Sequence, residues 1–347
     1  MSSLGRVAVA LSGGIDSAVT AKLLIDQGYD VVGITGKMTC SQDSDTVIFN
    51  AQKVAENLGI KHYVVDVTVD FEEKVIKYFE NSYKTGLTPN PCIMCNKYIK
   101  WGKLFDFATN VLNADYIATG HYANIRKENG FFKLYPAADE HKDQLYFLFS
   151  LSQDHLVKTI FPLANYSKYE VKKLAEKYDL PSKSAKESQD ICFIKPPMTT
   201  KKYLNGIISS KSGLFIEKSS GKVLGMHNGF WQYTIGQRKG IGIAAPEPLY
   251  VIEIDPDKNI VYVGYKDQLL TSEILLENIE WSYPVEIDRL DVNVKIRYNM
   301  NFVKANIVRL DSFWKLSFLE PVSGVTRGQA CVIYDISDGH LLGGAFI

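Results

Sequence analysis

Short apolar runs alternate with stretches of helical periodicity in the first half of the chain, and this alternation constrains the fold most. The runs are rich in β-branched residues and predict buried strands at 7–11, 31–35, 63–67 and 116–119. The stretches between them predict helices near 16–27, 45–58, 70–84 and 93–110. Strands separated by helices pair in parallel, so we expect an α/β fold: a doubly wound, mostly parallel sheet with helices on both faces.

The second half of the chain has a different pattern. Residues 143–178 show helical periodicity with Pro181 as a stop, and short alternating runs dominate after residue 200. PLYVIEIDPDKNIVYVG predicts two strands around a turn, KSSGK (218–222) a hairpin loop, and VNVKIRY, FVKANIVRL, WKLSFL and QACVIYD further strands. We expect three domains, an α/β domain, a small β-rich domain and a β-barrel, at 1–199, 200–267 and 268–347.

The turn between the first strand and helix is suited to binding an anion. In VAVALSGGIDSAVTAKLL the glycines Gly13 and Gly14 free backbone amides at the positive end of the helix dipole. The hydroxyls of Ser12 and Ser17 can donate to a phosphate, and Asp16 can hold a magnesium ion that bridges phosphates. A plain strand-to-helix turn is the alternative. The Walker and dinucleotide fingerprints, G-x-x-x-x-G-K-[ST] and G-x-G-x-x-G, are absent.

Two cysteines follow a proline-rich turn in TPNPCIMCNKYIKWG, residues 88–102. Asn90 is a favoured N-cap and Pro91 a favoured first helical residue, so we expect a helix to begin here. Cys92 and Cys95 then lie in its first turns. For this pair a disulfide, a metal site, a nucleophile and packing are all open interpretations.

Positive charge surrounds these thiols in the sequence. Lys97 and Lys100, with the helix dipole, are expected to lower the thiol pKa so that either cysteine could be a thiolate at neutral pH. Cys40 and Cys331 are interpreted as packing, and Cys192 in AKESQDICFIK would by itself be a buried strand cysteine.

The composition limits the class of protein and its compartment. Five cysteines at irregular spacing argue against a secreted disulfide framework and predict reduced thiols in the cytoplasm. No segment is long and apolar enough for a signal peptide or a membrane span. The 39 basic residues balance 39 acidic ones, so a polyanionic partner must be held by a local patch rather than by net charge.

Seven short motifs occur along the chain in a characteristic order. They are SGGIDS, TPNPCIMCNKYIKWG, ATGHYA (118–123), KDQLYFL (142–148), DICFI (190–194), YTIGQRKGIGI (233–243) and KIRYNM (295–300). Together they resemble the tRNA 2-thiouridylase (MnmA) family, and the resemblance runs through all three expected domains. SGGIDS by itself resembles the pyrophosphate loop of enzymes that cleave ATP between the α and β phosphates to adenylate an oxygen.

The resemblance implies a fold, an activity and partners. The first domain would have the adenine nucleotide α-hydrolase fold, and the C-terminal barrel would bind tRNA. The activity implied is ATP- and Mg²⁺-dependent replacement of the 2-oxygen of the wobble uridine of tRNA by sulfur. A Cys192 persulfide would supply the sulfur, with Cys95 as the catalytic nucleophile and a Cys95–Cys192 disulfide as the product. A persulfide-carrying donor, either a cysteine desulfurase or a relay protein, would load the sulfur.

The same resemblance assigns binding residues. Those implied for ATP are Ala10, Leu11, Ser12, Gly13, Gly14, Ile15, Asp16, Ser17, Gly36, Met38 and Gly120. Those implied for the flipped base and the rest of the tRNA are Asn90, Pro91, Cys92, Lys142, Asp143, Gln144, Arg297 and Tyr298. QRKG (237–240) is a further basic loop, and His121 is interpreted either as a satisfied core histidine or as a substrate-facing group.

One position departs from the family pattern. Many members have an aspartate three residues before the nucleophile, where this chain has Cys92. A thiol does not replace an acid/base carboxylate. Cys92 is then either a spectator beside a persulfide route through Cys95 and Cys192, or a ligand with both of an iron–sulfur cluster. A zinc site is a third possibility without an evident fourth ligand.

Two other functions compete with tRNA thiolation. Pyrophosphate loops also serve ligases in which ammonia or an amine attacks the adenylate, and such enzymes need no cysteine pair. A nucleotide-gated RNA-binding module without catalysis is the other rival. The intact phosphate loop together with Cys95 and Cys192 argues against that loss of catalysis.

Overall fold

The computed structural model describes residues 4–183, 191–209 and 211–347. The first half contains the strands β1 (Arg6–Ala10), β2 (Asp30–Lys37), β3 (His62–Asp66), β4 (Tyr116–Ala118), β5 (Asn124–Glu128), β6 (Phe131–Tyr135) and β7 (Thr159–Ile160). The α-helices are α1 (Ile15–Asp26), α2 (Gln42–Leu58), α3 (Thr68–Phe71), α4 (Lys77–Lys84), α5 (Pro91–Met94), α6 (Gln153–Leu156), α7 (Lys168–Lys177) and α8 (Thr200–Asn205). Helical turns of π type lie at Glu72–Ile76, Cys95–Leu104 and Phe107–Val111, and 3₁₀ turns at Leu145–Leu148, Phe230–Gln232 and Lys266–Leu269.

The predicted parallel sheet is confirmed. Its order is β3-β2-β1-β4-β7, and every neighbouring pair is parallel. Alternate residues of β1 point to opposite faces, as strand geometry requires. Val7 and Val9 belong to the core that α1, α2 and α7 cover, whereas Ala8 packs with Phe71 and Ile99 on the other face. Helices therefore cover both faces of the sheet.

The helical pattern predicted over residues 143–178 is confirmed for the stretch before Pro181, where α7 lies, and is wrong for most of the stretch before it. A 3₁₀ turn, α6, the short strand β7 and α7 occupy this region in turn. The sequence reading also missed the hairpin β5–β6, although Asn129-Gly130 is a common hairpin turn. Both turn residues have positive φ, 50° and 86°, which explains the residue types.

The second half of the chain is built from strands, as predicted. They are β8 (Gly213–Glu217), β9 (Val223–His227), β10 (Tyr250–Asp255), β11 (Ile260–Gly264), β12 (Leu270–Leu276), β13 (Glu280–Trp281), β14 (Arg289–Lys295), β15 (Val303–Leu310), β16 (Phe313–Ser323), β17 (Ala330–Asp335) and β18 (Leu341–Phe346). One sheet has the order β10-β11-β8-β9. The KSSGK segment joins β8 to β9 and the DPDKN turn joins β10 to β11, so both predicted turns are confirmed.

The C-terminal sheet is joined to the first part of the chain. Its order is β12-β16-β15-β14-β17-β18-β6-β5, with β13 paired to β18, so the hairpin β5–β6 extends it. A shared core contains Trp101 and Tyr146 from the first part and Val332 and Leu341 from the last strands. In the described ranges, no helix has the length and apolarity that crossing a membrane requires.

Candidate active site

The Ser-Gly-Gly turn lies between β1 and α1, at the carboxyl end of the parallel sheet. Gly13 has a φ of 72°, and a Cβ built there would lie 2.6 Å from the Asn50 Cβ, so only glycine fits. The Ser17 hydroxyl donates to the Gly14 carbonyl oxygen at 3.1 Å and accepts from the Ser12 amide at 3.2 Å. The N-cap of α1 is Gly14, which has no side chain to cap the helix, so the first amides of α1 are available to an anion.

The residues flanking this turn offer their backbone rather than their side chains. Leu11 and Ile15 are buried in the core, and the Leu11 carbonyl oxygen accepts from the Thr35 hydroxyl at 2.7 Å. Gly36 is buried in β2, where an added Cβ would lie 3.1 Å from the Met38 Cε. Met38 lines a cavity of about 420 Å³ beyond the end of β2.

Asp16 is held by two side chains that the sequence reading did not single out. The Lys168 Nζ lies 2.7 and 2.6 Å from its two carboxylate oxygens, and the Tyr122 hydroxyl donates to it at 3.0 Å. Lys168 is the first residue of α7, whose Ser167 and Glu170 form a capping box. That S-x-x-E pattern was a sequence signal for where Lys168 lies.

The carboxylate of Asp16 fits magnesium only in part. Magnesium commonly takes one or two protein carboxylates together with substrate phosphates, so a single aspartate here is sufficient in number. Its oxygens are, however, already paired with the Lys168 ammonium. A metal ion bound with the nucleotide would therefore share or replace that partner.

Gly120 brings the end of β4 against the phosphate turn. A Cβ built at Gly120 would lie 2.9 Å from both the carbonyl carbon and the Cβ of Asp16. The neighbouring His121 is 7% exposed, so it is a core histidine in packing terms. Its Nδ1 lies 2.7 Å from the Thr119 hydroxyl and its Nε2 3.1 Å from the Lys100 Nζ. It thus connects the β4 turn to the thiol-bearing helix.

The predicted start of that helix is confirmed. Asn90 is the N-cap, and its side-chain oxygen accepts from the Cys92 amide at 3.2 Å, while Pro91 is the first residue of α5. The helix continues from Cys95 as π-helical turns, which are rare and frequent at functional sites. The barrel supports this segment, since Gln329 donates to the Thr88 carbonyl oxygen at 2.8 Å.

The loop that carries Cys192 is anchored close to these thiols. Phe193 packs against the rings of Phe71 and Phe79, with centroids 6.0 and 5.3 Å apart. Phe193 and Cys95 contact the same hydrophobic core. Negative charge on Cys95 or on Cys92 acts on the Cys192 thiol, so the three sulfur atoms lie within electrostatic range of one another. Asp190, the first residue of the DICFI motif, lies outside the described residues.

The expectation of low thiol pKa values is wrong. Burial raises the pKa of Cys95 to about 11 and of Cys192 to about 12, and it also raises the pKa of Cys92. Lys100 opposes these shifts but does not outweigh the loss of hydration. The other predicted cation, Lys97, pairs with Glu280 at 2.6 Å. All three cysteines are free thiols. Cys92 and Cys192 are exposed and Cys95 is half-buried, so the loss of hydration that raises their pKa values is partial.

Among the described residues, the sulfur atoms of Cys92, Cys95 and Cys192 do not all lie within 4.8 Å of one another. Zinc binds thiolate sulfurs at about 2.3 Å, which requires the sulfurs to be close together. Within the described ranges, the one group of three or more such ligands whose atoms lie within 4.8 Å of one another is Asp335, Asp338 and His340. There Lys133 forms an ion pair with Asp338 at 3.2 Å, and the His340 Nδ1 contacts the same carboxylate, in the β17–β18 turn.

The residues expected to contact tRNA lie where the barrel meets the first part of the chain. The Tyr298 hydroxyl donates to the Asp143 carbonyl oxygen at 3.0 Å. The Asp143 carboxylate accepts from the amides of Ala137 and Leu145, and burial raises its pKa to about 6. Gln144 accepts from the Tyr122 amide at 3.1 Å. These contacts hold the segment in place.

A second group of the residues expected to contact tRNA lies in or next to loops. Arg297 donates to the Gly324 carbonyl oxygen and lies about 3.5 Å from the position of a Cβ at Gly236, just ahead of the QRKG loop. Arg238 and Lys239 in that loop are exposed. Lys142 is partly buried beside Asp143. The structure thus brings the KDQ, Arg297 and QRKG segments to neighbouring positions.

Comparison with known families and proteins shows which family the chain matches. Family models match over most of its length: the tRNA methyl transferase HUP domain over 5–196, the tRNA methyl transferase PRC-barrel domain over 201–265 and the aminomethyltransferase beta-barrel domain over 271–347. The tRNA-specific 2-thiouridylase MnmA of Gloeothece citriformis is 41% identical over 353 residues and covers 99% of each chain. That of Synechocystis sp. is 41% identical over 351 residues, covering 99% of this chain and 96% of the relative.

The parallel sheet and the phosphate turn therefore define a nucleotide-binding protein of the HUP class. With two β-rich domains after it, the chain belongs to the tRNA-specific 2-thiouridylase family. The U34-tRNA thiolase NcsA from Methanococcus maripaludis, solved with its [4Fe-4S] cluster, is 22% identical. It has a TM-score of 0.37 and covers 55% of this chain and 61% of that one. This likeness is too low to transfer a cluster to Cys92, Cys95 and Cys192.

Proposed function

We propose that this protein catalyses ATP-dependent 2-thiolation of the wobble uridine of tRNA in the cytoplasm. The proposal rests on a series of contacts that connects the phosphate turn to a group of thiols. Gly120 packs on Asp16, its neighbour His121 contacts Lys100, and Lys100 acts on Cys92, Cys95 and Cys192. An amine-using ligase of the same class needs the first element but not the thiols.

The phosphate turn activates the base. ATP binds through the amides of Gly13 and Gly14, the hydroxyls of Ser12 and Ser17, and the backbone from Ala10 to Ile15, with Gly36, Met38 and Gly120 beside the nucleoside. Uracil O2 attacks the α-phosphate, the bond to the β-phosphate breaks, pyrophosphate leaves, and the N3 proton of the base passes to solvent. When bound, a magnesium ion held by Asp16 would supply charge neutralisation for the leaving group.

The thiols then deliver sulfur. The Cys95 thiolate attacks the inner sulfur of a Cys192 persulfide, which forms the Cys95–Cys192 disulfide and releases hydrosulfide. Hydrosulfide attacks C2 of the adenylated base, AMP leaves with the former O2, and the hydrosulfide proton ends on N3 of the thiolated base. A dithiol reductant restores the two cysteines, and a persulfide-carrying protein, a cysteine desulfurase or a relay protein, reloads Cys192.

The remaining assignments concern tRNA. Asn90, Pro91 and Cys92 line the pocket of the flipped base at the start of the thiol-bearing helix. Lys142, Asp143, Gln144, Arg297 and Tyr298, with QRKG, form the tRNA surface. The domains divide at 1–199, 200–267 and 268–347, with the last as the tRNA-binding barrel. The neighbouring positions of the KDQ, Arg297 and QRKG segments support this surface.

The test is thiolation with purified components. The full chain, in excess over unmodified tRNA, is incubated with ATP, Mg²⁺ and a cysteine desulfurase with free cysteine as the persulfide donor, and nucleosides are analysed by mass spectrometry together with AMP and pyrophosphate. We expect 2-thiouridine with one AMP released for each, and a loss of at least about 1,000-fold in Cys95→Ser. Cys40→Ser is the matched control and should retain activity. Persistence of 2-thiouridine in cells that lack the gene would refute the proposal.

Two rival schemes have distinct outcomes in the same assay. If an iron–sulfur cluster on Cys92, Cys95 and Cys192 carried the sulfur, the anaerobically purified protein would contain iron and sulfide, and the iron-free protein would be inactive. We expect full activity without iron. If ammonia were the nucleophile, Cys95→Ser would leave ATP turnover into product unchanged.

A further inference from the structure

Lys100 occupies a position that the proposed chemistry does not yet use. It lies five residues after Cys95 within the π-helical segment, and in a π-helix the backbone hydrogen bond joins residues five apart. Lys100 is therefore one turn beyond Cys95 on nearly the same side of the helix. Its side chain is partly buried, and its Nζ lies 3.1 Å from the His121 Nε2.

His121 accepts a hydrogen bond from the Lys100 ammonium group and fixes its position. An ammonium group only donates hydrogen bonds, so the His121 Nε2 accepts and the ring is neutral. The hydrogen is then on Nδ1, which donates to the buried Thr119 hydroxyl at 2.7 Å. Burial and the Lys100 charge hold the pKa of His121 well below its usual value. The ring is further fixed by Trp101 and Phe161, with centroids 5.4 and 6.1 Å away.

The charges around the thiols differ in whether they are neutralised. Cys95 faces Cys92 and Lys100 on its own helix, Cys192 from the loop before Phe193, and His121, held neutral, lies behind Lys100. Lys97 is closer in sequence, but its Nζ pairs with Glu280 at 2.6 Å. Lys100 contacts a neutral acceptor instead, so its positive charge is not cancelled by that partner.

We propose that Lys100 is a positioning residue for sulfur transfer, whose ammonium, fixed by His121 and Thr119, stabilises negative charge on the Cys95 sulfur. The pKa of Cys95 is raised to about 11 by burial, so the thiolate is scarce at neutral pH and each increment of stabilisation increases the reaction rate. The role rests on the proposed function for its purpose. Ionisation of Cys95, however, can be measured without tRNA or ATP.

The experiment measures alkylation of Cys95 in the full chain. Iodoacetamide reacts with the thiolate, which displaces iodide and forms a sulfur–carbon bond, and the thiol proton passes to solvent. Rate constants at Cys95 are obtained by peptide mass spectrometry between pH 7 and 9, with every variant in a Cys92→Ser background. The variants are Lys100→Met, Lys100→Gln, Lys100→Arg and the matched control Lys97→Met.

The expected change follows from the charge. An opposite charge nearby shifts a thiol pKa by about one unit or more, which changes the thiolate fraction about tenfold. The less stabilised thiolate is the stronger nucleophile, with a Brønsted coefficient of about 0.4–0.5, so the net rate falls by about threefold. We expect this fall in Lys100→Met and Lys100→Gln, wild-type rates in Lys97→Met, and recovery in Lys100→Arg.

Several outcomes would overturn the proposal. They are an unchanged rate in Lys100→Gln, an equal fall in Lys97→Met, or an Arg variant as slow as Lys100→Met. If Lys100→Met does not fold, as judged by circular dichroism, Lys100→Gln still decides, because its amide can donate to His121 without a charge. If the alkylation rates follow the expected order but no 2-thiouridine forms, the proposed function fails and the Lys100 assignment remains.

Discussion

Alanine at Gly120 tests whether the β4 turn positions the phosphate turn. A Cβ there would lie 2.9 Å from the Asp16 carbonyl carbon and Cβ and 3.0 Å from the Ser17 amide nitrogen, where ordinary contact needs 3.4–4 Å. Backbone atoms are involved on the Asp16 side, so no flexible side chain can relieve the overlap. The β4 turn and the N-terminus of α1 must separate by about 0.5 Å, in the range where overpacking costs about 1–3 kcal/mol.

The separation should affect ATP use more than the fold. A misplacement of about 1 Å can cost roughly 100-fold in rate, so half of that predicts about a tenfold loss in adenylation. We expect kcat/KM for ATP, measured from AMP release with tRNA, to fall about tenfold in Gly120→Ala, with a decrease of a few degrees in Tm.

Gly225→Ala provides the matched control. Gly225 lies in β9, and an added Cβ would have its nearest neighbour at 3.9 Å, which is ordinary contact. We expect it to keep wild-type kinetics. Wild-type kcat/KM in Gly120→Ala, or an equal loss in both variants, would refute the reasoning that close contact between Gly120 and Asp16 sets the phosphate turn.

Three further predictions follow from contacts in the same region. Lys168→Met leaves the Asp16 carboxylate without its ammonium partner, so ATP affinity should fall and Tm should decrease. In a thermal-melt double-mutant cycle, adding Asp16→Asn to Lys168→Met should restore part of the lost Tm. Phe193→Ala removes the ring that anchors the Cys192 loop, so the Cys95–Cys192 disulfide should form about tenfold more slowly on oxidation, as followed by mass spectrometry. An unchanged rate would contradict the role of Phe193 as an anchor. The Asp143 pKa of about 6 exceeds its value of 3.8 in an unfolded chain, so the wild type should lose stability relative to Asp143→Asn as pH rises from 4 to 7, by at most about 3 kcal/mol. A Tm difference between the two proteins that does not change with pH would contradict this.

Local sequence patterns predicted much of the fold and part of the candidate site. The β-branched runs around the Ser-Gly-Gly turn specify the strands of the parallel sheet because a strand buried on both faces needs apolar residues throughout. Asn90 and Pro91 specify where the thiol-bearing helix begins because an N-cap acts within one turn. The positive φ of Gly13 is likewise a local requirement that SGG expresses.

Only the tertiary structure decided what these elements meet. Lys168 lies 152 residues from Asp16, and no periodicity connects them, so the ion pair had no local signal. The thiol pKa values were predicted in the wrong direction because neighbouring lysines are visible in a sequence, whereas burial depends on elements packed from far along the chain. Sequence adjacency also gave Lys97 and Lys100 equal weight, and the fold separated them by pairing one with Glu280 and the other with a neutral histidine. Short-range sterics and capping are determined by the sequence alone, whereas hydration and ion pairing depend on the assembled fold.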